Sequence, residues 1–307
     1  MTTTSSSLPS APPITVSPNI TLQPPLSRCG EGPGLLLIRP ANLVGCQTNN
    51  TTLDPAPLQK WAEESYTVVE ITLDTVRSGD AVDVSDAISA AVRAFSEYPQ
   101  CSGRGRGHGD NLKFGILVYG SPRDYGPSFP ALLQQSITAL TPEQAPAAAI
   151  YFSAWESPCP TIPALFHLPA GQTLAESITA TTTATTKTYQ YPSTRSPGFI
   201  LPGHADFDPR AAGVAHTRSL TFLKPRTGGP YFDLEQIWEA HTHHEFGDRS
   251  VENTMATMVQ EPYVNHIPTV CCLSPLSTRV LMGAISALNG GLPTACMVCW
   301  NTTTTTT

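Results

Sequence analysis

Short apolar runs with the length of β-strands recur along the middle of the chain. Several are rich in β-branched residues, which fit a pleated sheet well. A continuous apolar run, without polar alternation, is typical of a strand buried on both faces, as in a parallel sheet. The runs cover residues 35–38, 66–73, 113–119, 147–153 and 163–168, and residues 188–191 form a candidate edge strand.

Helical periodicity separates these runs. One predicted helix is capped by Ser85 and ends before Pro99, and others cover residues 129–140 and 211–223. Strand and helix alternate, so we expect an α/β fold with a doubly wound, mostly parallel sheet of six to eight strands in a three-layer arrangement. Functional side chains should then follow the carboxyl ends of the strands. The inward positions are Val84, Ile88, Ala91, Val92 and Phe95 in the first helix and Val214, Leu220 and Leu223 in the last.

Both ends of the chain differ from this pattern. Residues 1–27 are rich in Thr, Ser and Pro, which predicts disorder. After residue 227 a helical fragment follows, with a capping box at Asp233-Leu-Glu-Gln236 and a second helix at 251–259. Residues 270–307 are irregular, and we interpret them as a retained intron or a frameshift, which implies a truncated second domain. The predicted organisation is 1–27, 28–227, 228–269 and 270–307.

Composition narrows the class of protein. The 307-residue chain has a net charge of −7 and no long basic run, so we expect no nucleic-acid partner. It has no apolar run of membrane-spanning length and no secretory signal, so we expect no membrane association and a cytoplasmic location. In that compartment the eight cysteines should be thiols rather than disulfides.

Three segments resemble the dienelactone hydrolases. Residues 34–39 are similar to the first core strand of that family, and Lys113-Phe-Gly-Ile-Leu-Val-Tyr-Gly-Ser121 is similar to the strand that leads into the nucleophile elbow. Pro197-Gly-Phe199, followed by residues 207–223, resembles the histidine loop and the final helix. The resemblance covers residues 28–225 and implies an α/β-hydrolase fold and hydrolysis of a small ester or lactone.

The family's catalytic positions hold other residue types here. The family places a Cys or Ser nucleophile in a Gly-x-Cys-x-Gly turn, and the matching residue is Gly120. The histidine position holds Pro197, and the acidic position falls at Gln172.

Substitutes with suitable chemistry lie nearby. Ser121, His204 and Asp206 have the residue types needed for acyl transfer, and we carry them forward as the candidate catalytic set. We also keep the interpretation that these positions are surface or turn-capping residues and that catalysis is impaired or lost.

Residues 231–269 resemble the opening helices of SnoaL-like proteins, a cone-shaped α+β fold. The resemblance covers helices only and implies no activity. The histidines at 241, 243 and 244 point in different directions on one helix, so a solvated face is favoured over a metal site. Cys296-Met-Val-Cys299 lacks a second pair of cysteines. We therefore expect no metal and no organic cofactor.

Two functions follow as expectations. The first is a dienelactone-hydrolase-like protein, with a small ester or lactone as its substrate, in which catalysis is impaired. The alternative is a non-catalytic scaffold, a pseudoenzyme that binds a small ligand or a protein. The empty triad positions are the observation that separates the two.

Overall fold

A computed structural model describes residues 11–27, 30–43, 54–74, 81–101, 112–156, 158–174, 185–231, 234–258, 264–265 and 272–273. These residues divide into two compact units. The first spans Ala11–Pro25 and Cys29–Pro230, and the second contains Leu26, Ser27 and the described residues from Tyr231 onward.

The first unit consists of one sheet with helices between its strands. Its strands are β1 (Ile14–Ser17), β2 (Ile20–Gln23), β3 (Gly34–Pro40), β4 (Thr67–Leu73), β5 (Phe114–Val118), β6 (Ala148–Tyr151), β7 (Ala164–Pro169) and β8 (Thr186–Tyr191). Its helices are α1 (Pro57–Glu63), α2 (Ala81–Glu97), α3 (Pro122–Tyr125), α4 (Phe129–Thr138) and α5 (Pro209–Thr227), with 3₁₀ turns at Pro142–Gln144 and Pro197–Ile200.

The sheet order confirms the predicted fold class. The strands are ordered β1-β2-β4-β3-β5-β6-β7-β8, and β3 to β8 pair in parallel. Strand β2 is antiparallel to both of its neighbours. This is the arrangement of an α/β-hydrolase-type sheet. The chain runs from β3 outward to β4 and then returns to β5 on the other side of β3, so the topological switch point lies between β3 and β5.

The centre of the sheet is buried on both faces, as its unbroken apolar sequence predicts. Leu35, Leu36 and Leu37 in β3 are 0% exposed, and the whole of β5 is buried. Removing this much apolar surface from water is the main term favouring the fold, at about 25 cal/mol per Å². It also fixes the carboxyl ends of the two strands next to each other.

Helix α2 confirms its predicted face and α5 confirms part of its own, while the limits of both helices differ from the prediction. Helix α2 begins at Ala81, four residues before the predicted cap at Ser85, because burial of Val84 (1% exposed) extends the apolar stripe by one turn. Helix α5 starts at its cap residue Asp208, whose side chain accepts from two backbone N–H groups, and ends at Gly228 in a left-handed conformation. Of its predicted inward positions, Leu223 is buried, whereas Val214 and Leu220 are half-buried.

The N-terminal segment is a correction. Disorder was predicted for residues 1–27, yet β1 and β2 lie within that range. Ile20 and Leu22 are each 3% exposed, because β2 adds to the sheet beside β4 and turns this face toward the core. The alternation of apolar and polar residues over four positions is a strand signal that the Thr- and Pro-rich composition conceals.

The second unit contains two helices, α6 (Leu234–Thr242) and α7 (Val251–Ala256), with a π-helical turn at His243–Gly247 after α6. Strands β9 (Val264–Asn265) and β10 (Cys272–Leu273) pair antiparallel. Asp233 and Val259, and with them the start of the predicted capping box and the end of the second helix, lie outside the described residues. So do Cys296 and Cys299.

Two further predictions concern membrane-spanning helices and disulfide bonds. No helix in the described ranges combines the length and the apolar character that crossing a bilayer requires. Cys101 and Cys159, which lie in the first unit, are both buried, and neither forms a disulfide bond.

A buried histidine joins the last strands to α5. His167 in β7 is 0% exposed, and its Nδ1 and Nε2 lie 2.7 Å from the Tyr191 hydroxyl and 2.9 Å from the Ser219 hydroxyl. Burial, with a smaller contribution from the charge of Arg218, lowers the pKa of His167 to about 3. The imidazole is therefore neutral throughout the physiological pH range and acts as a structural link.

This link predicts acid sensitivity. An unfolded histidine takes up a proton near pH 6.5, whereas His167 stays neutral in the fold until about pH 3. The unfolded state thus binds more protons in this window, and the free energy of unfolding falls by up to about 1.4 kcal/mol per pH unit as the pH drops. Urea unfolding of the wild type and of His167→Phe between about pH 7 and pH 5 measures this difference.

The His167→Phe variant should be less stable near pH 7, because Tyr191 and Ser219 lose a buried partner, and its stability should fall less as the pH drops. Any dependence of the free energy of unfolding on pH that remains in the variant comes from other titratable groups. Equal slopes for the two proteins would contradict the assignment to His167.

Candidate functional site

A sharp turn at the carboxyl end of β5 leads into α3. The Tyr119 N–H donates to the Ile38 carbonyl (2.9 Å), and the Tyr125 hydroxyl reaches the carbonyls of Ile38 (2.9 Å) and Tyr119 (2.7 Å). Between them Gly120 has φ +81°, in the left-handed region that glycine tolerates best. A tight strand-to-helix turn at this point of the sheet is the geometry of a nucleophile elbow.

The elbow carries no nucleophile at its apex. A Cβ atom on Gly120 would lie 3.1 Å from Asp124 Oδ2 and 3.3 Å from Pro40 Cγ. The Asp124 carboxylate and the Pro40 ring therefore occupy the space into which a side chain at this position would project.

The hydroxyl of Ser121 is engaged locally. Asp124 Oδ2 accepts hydrogen bonds from the Ser121 N–H (2.6 Å) and from Ser121 Oγ (2.8 Å). A carboxylate that reaches back to the residue before a helix is half of a capping box, so this pair stabilises the start of α3. In this arrangement the Ser121 proton points to a carboxylate rather than to an imidazole.

Gln172 has a structural role after β7. Its Oε1 accepts from Ser153 Oγ (2.9 Å) and from the Ala154 N–H (2.8 Å), which fastens the loop after β6 to the loop after β7. A neutral amide supplies no negative charge to orient or stabilise an imidazolium, which is the function of the acid in a triad.

The loop after β8 brings together two of the three candidate catalytic residues. Pro197 opens a 3₁₀ turn, and the His204 ring lies against Gly198, where a Cβ atom would overlap it. His204 Nδ1 accepts from the Asp206 N–H (3.0 Å) and lies 4.0 Å from Asp206 Oδ2, which also accepts from Ser196 Oγ (2.6 Å).

This loop leaves His204 in an unsuitable tautomer for a base. Because Nδ1 accepts a backbone hydrogen bond, the proton of the neutral ring lies on Nε2, which is then a donor. Within the described ranges no hydrogen bond joins Ser121 to His204 or Asp206. The Ser121, His204 and Asp206 set remains a prediction.

A small recess lies beside the elbow on the side of α1 and α5. Its volume is about 20 Å³, enough for one or two water-sized groups. Most of its wall is apolar or aromatic. The residues that form it include Trp61, Tyr119, Phe152, Ile200, Pro202 and His216.

A buried carboxylate–imidazole pair supports one side of the recess. His216 Nε2 lies 3.1 Å from Glu64 Oε1, and Lys224 Nζ lies 3.7 Å from the other oxygen of Glu64. The His216 ring packs on Trp61, with centroids 4.6 Å apart, and Trp61 Nε1 donates to the Tyr119 hydroxyl (2.9 Å). This pair adds a polar centre to an otherwise apolar wall.

Opposing effects set the charges of the pair. Burial would raise the pKa of Glu64, but the hydrogen bond and charge of His216 and the charges of Lys224 and Lys60 outweigh it and lower that pKa. Burial lowers the pKa of His216, against the attraction of Glu64. At neutral pH the pair is therefore an ionised Glu64 that accepts the Nε2 proton of a neutral His216.

The sequence interpretation missed Glu64 and His216, which are 152 positions apart and share no motif. One signal was available for His216. It falls on the same helical face as Ala212, Ala215 and Leu223, and a polar residue on a buried face requires a partner.

The second unit holds the densest group of histidines. His241 is buried, with Nδ1 2.7 Å from Thr257 Oγ1, while His243 and His244 lie 3.4 and 3.0 Å from the two carboxylate oxygens of Asp248. Among the residues that the structure describes, no three His, Cys, Asp or Glu side chains are placed to hold a metal ion.

Comparison with known proteins adds similarity at the level of shape. No protein-family model and no curated protein matches the chain. A sugar hydrolase from Lactococcus lactis has 9% identity and a TM-score of 0.45, and the match covers 70% of this chain and 98% of that one. An α/β hydrolase enzyme from a Medee basin deep-sea metagenome library has 11% identity and a TM-score of 0.44, over 72% and 98% of the two chains.

An acylaminoacyl peptidase from Pyrococcus horikoshii is also similar, with 10% identity and a TM-score of 0.42, over 71% of this chain and 41% of the peptidase. Because these TM-scores are all below 0.5, the fold class is assigned from the order of the strands in the sheet.

The elbow predicts a measurable difference between two glycines. Gly120 and Gly171 both have left-handed φ angles, of +81° and +77°, but a Cβ atom on Gly171 would meet nothing within 4 Å. An alanine should cost about 1–2 kcal/mol at either position for the backbone conformation alone. Gly120→Ala should cost more, because its Cβ also presses on Asp124 and Pro40.

Urea unfolding of the two alanine variants gives the comparison, and Gly171→Ala is the matched control. The excess destabilisation of Gly120→Ala measures how tightly the apex of the elbow is filled. Equal losses would show that the Asp124 carboxylate yields freely and that the apex has room for a side chain.

Proposed function

We propose that this protein is a dienelactone-hydrolase-like α/β-hydrolase domain that binds a small molecule without hydrolysing it. The observation that carries the proposal is the glycine at the apex of the elbow. Covalent hydrolysis of an ester or lactone requires an activated nucleophile that attacks the carbonyl carbon, and glycine provides none.

The surroundings of the elbow support the same conclusion. The Asp124 carboxylate beside Gly120 would repel the oxyanion that forms in acyl transfer, where such sites place hydrogen-bond donors. Gln172 and Pro197, at the other two family positions, provide neither an acid nor a base. Each of the three triad functions is absent from its family position.

The position of the recess supports binding. Ligands of open α/β sheets bind outside the carboxyl ends of the strands, at the switch point. The recess includes Tyr119, which directly follows β5, and Phe152, which directly follows β6. In this proposal the protein has a binding region where the family has its active site, but it lacks the family's hydrolytic chemistry. For the second unit, whose helices resemble those of SnoaL-like proteins, we propose no activity.

Hydrolysis of an activated aryl ester, such as p-nitrophenyl acetate, tests the proposal. We expect the full chain to show no turnover above buffer, and the Ser121→Ala and His204→Ala variants to be indistinguishable from it. A fluorophosphonate that labels activated serines should leave the protein unmodified. Near-ultraviolet circular dichroism of each sample establishes that the protein tested is folded.

Turnover by the wild type that disappears in both variants would contradict the proposal. It would assign the nucleophile to Ser121 and make the protein a small-ester hydrolase with a displaced catalytic set. Turnover that survives in both variants would instead locate a catalytic group elsewhere, and this too would overturn the proposal.

A further inference from the structure

We propose that the recess beside the elbow binds the hydroxyl group of a small, neutral and largely apolar ligand, such as a short alcohol or a phenol, through Nδ1 of His216. This inference rests on the proposed function, since it assigns the binding region to particular atoms. It is carried by the geometry of the Glu64–His216 pair and by the shape of the recess.

The tautomer of His216 is fixed by its partner. Glu64 Oε1 lies 3.1 Å from Nε2, and Lys224 approaches the second oxygen of the same carboxylate. A carboxylate only accepts hydrogen bonds, so Nε2 carries the proton. The opposite nitrogen, Nδ1, then has a lone pair and acts as an acceptor.

Nδ1 of His216 is available to a ligand. Within the described part of the chain no side chain or backbone group donates to this atom, while His216 itself forms part of the recess wall. An acceptor in the wall of a recess is satisfied by water or by a ligand that donates a hydrogen bond to it. The recess has room for such a group.

The walls determine what else the ligand carries. The ring of Trp61 lies against His216, and Phe152 and Ile200 complete the apolar surface. The hydrogen bond from Trp61 Nε1 to the Tyr119 hydroxyl holds the indole in place. These surfaces favour an apolar carbon skeleton directly behind the hydroxyl group.

Charge and size exclude other classes of ligand. Among the described residues of the wall the cation is Lys60, which pairs with Asp54 at 3.3 Å, and the charge of the ionised Glu64 is balanced by Lys224 at 3.7 Å. A carboxylate or a phosphate therefore finds no unbalanced cation here. A volume of about 20 Å³ admits the hydroxyl oxygen and its nearest atom, so the rest of the ligand must extend toward the mouth.

Phenol and anisole form the probe pair, because they share a ring and differ in the O–H donor. Titration of the full chain with each, followed by NMR or calorimetry, should give an affinity for phenol about fivefold to tenfold higher, the effect of one net hydrogen bond. The His216→Phe variant should lose this preference. The control variant, His243→Phe, removes an exposed imidazole in the other unit and should retain it.

A measurement on the unmodified chain covers the case in which His216→Phe does not fold. The ¹⁵N resonance of His216 Nδ1 should have the shift of an unprotonated imidazole nitrogen and should move on addition of phenol but not of anisole. His216→Gln identifies the resonance by removing it.

The outcomes separate this inference from the proposed function. Equal affinity for phenol and anisole, phenol binding that His216→Phe leaves unchanged, or no binding of phenol at all would each overturn the His216 site. Such results leave the ester measurement untouched. Conversely, ester turnover would overturn the proposed function even if phenol selected Nδ1 of His216.

Discussion

Parallel pairing of β3 with β5, buried on both faces, is the constraint on which the rest of the structure depends. Each strand is a continuous apolar run, and neither face can be exposed without a large loss of buried surface. Their pairing places Pro40 and Gly120 at the same edge of the sheet. The switch point, the elbow and the recess follow from where these two strands end.

The elbow retains its backbone form while its chemistry differs. A left-handed residue is required for the chain to leave β5 and enter α3 so abruptly, and hydrogen bonds from Tyr119 and Tyr125 to β3 hold this turn. In a hydrolase the strain of that residue serves to present a nucleophile. Glycine adopts the conformation with little strain, so the turn here is a structural connection, and Asp124 caps the helix that follows.

The sequence predicts the buried strands well because their signal is local. Residues 35–38 need no partner to be recognised as a two-faced strand, and the same holds for 113–119. The sequence does not predict strand β2, because an alternation of apolar and polar residues over four positions is too short a signal in a segment rich in Thr and Pro. Its place in the sheet depends on β4, which lies about fifty residues later.

The candidate site likewise contains some residues that the sequence predicts and others that it does not. The Gly120, Gln172 and Pro197 positions could be named from the chain, because a motif marks each of them by its distance from a strand. The Glu64–His216 pair could not, since it depends on how closely α1 approaches α5 across the sheet face. Hydrogen-bond partners such as Asp124 for Ser121 also depend on rotamers that sequence spacing does not specify.

Helix α5 contributes one residue to each of two buried hydrogen-bond networks. His216 lies in the wall of the recess, and Ser219, three residues later, is the partner of His167 on β7, next to the edge strand β8. Any movement that widened the recess by shifting this helix would also pull Ser219 away from His167. Widening the recess in this way would cost a buried hydrogen bond, so we expect ligands that fit its present width to be favoured over larger ones.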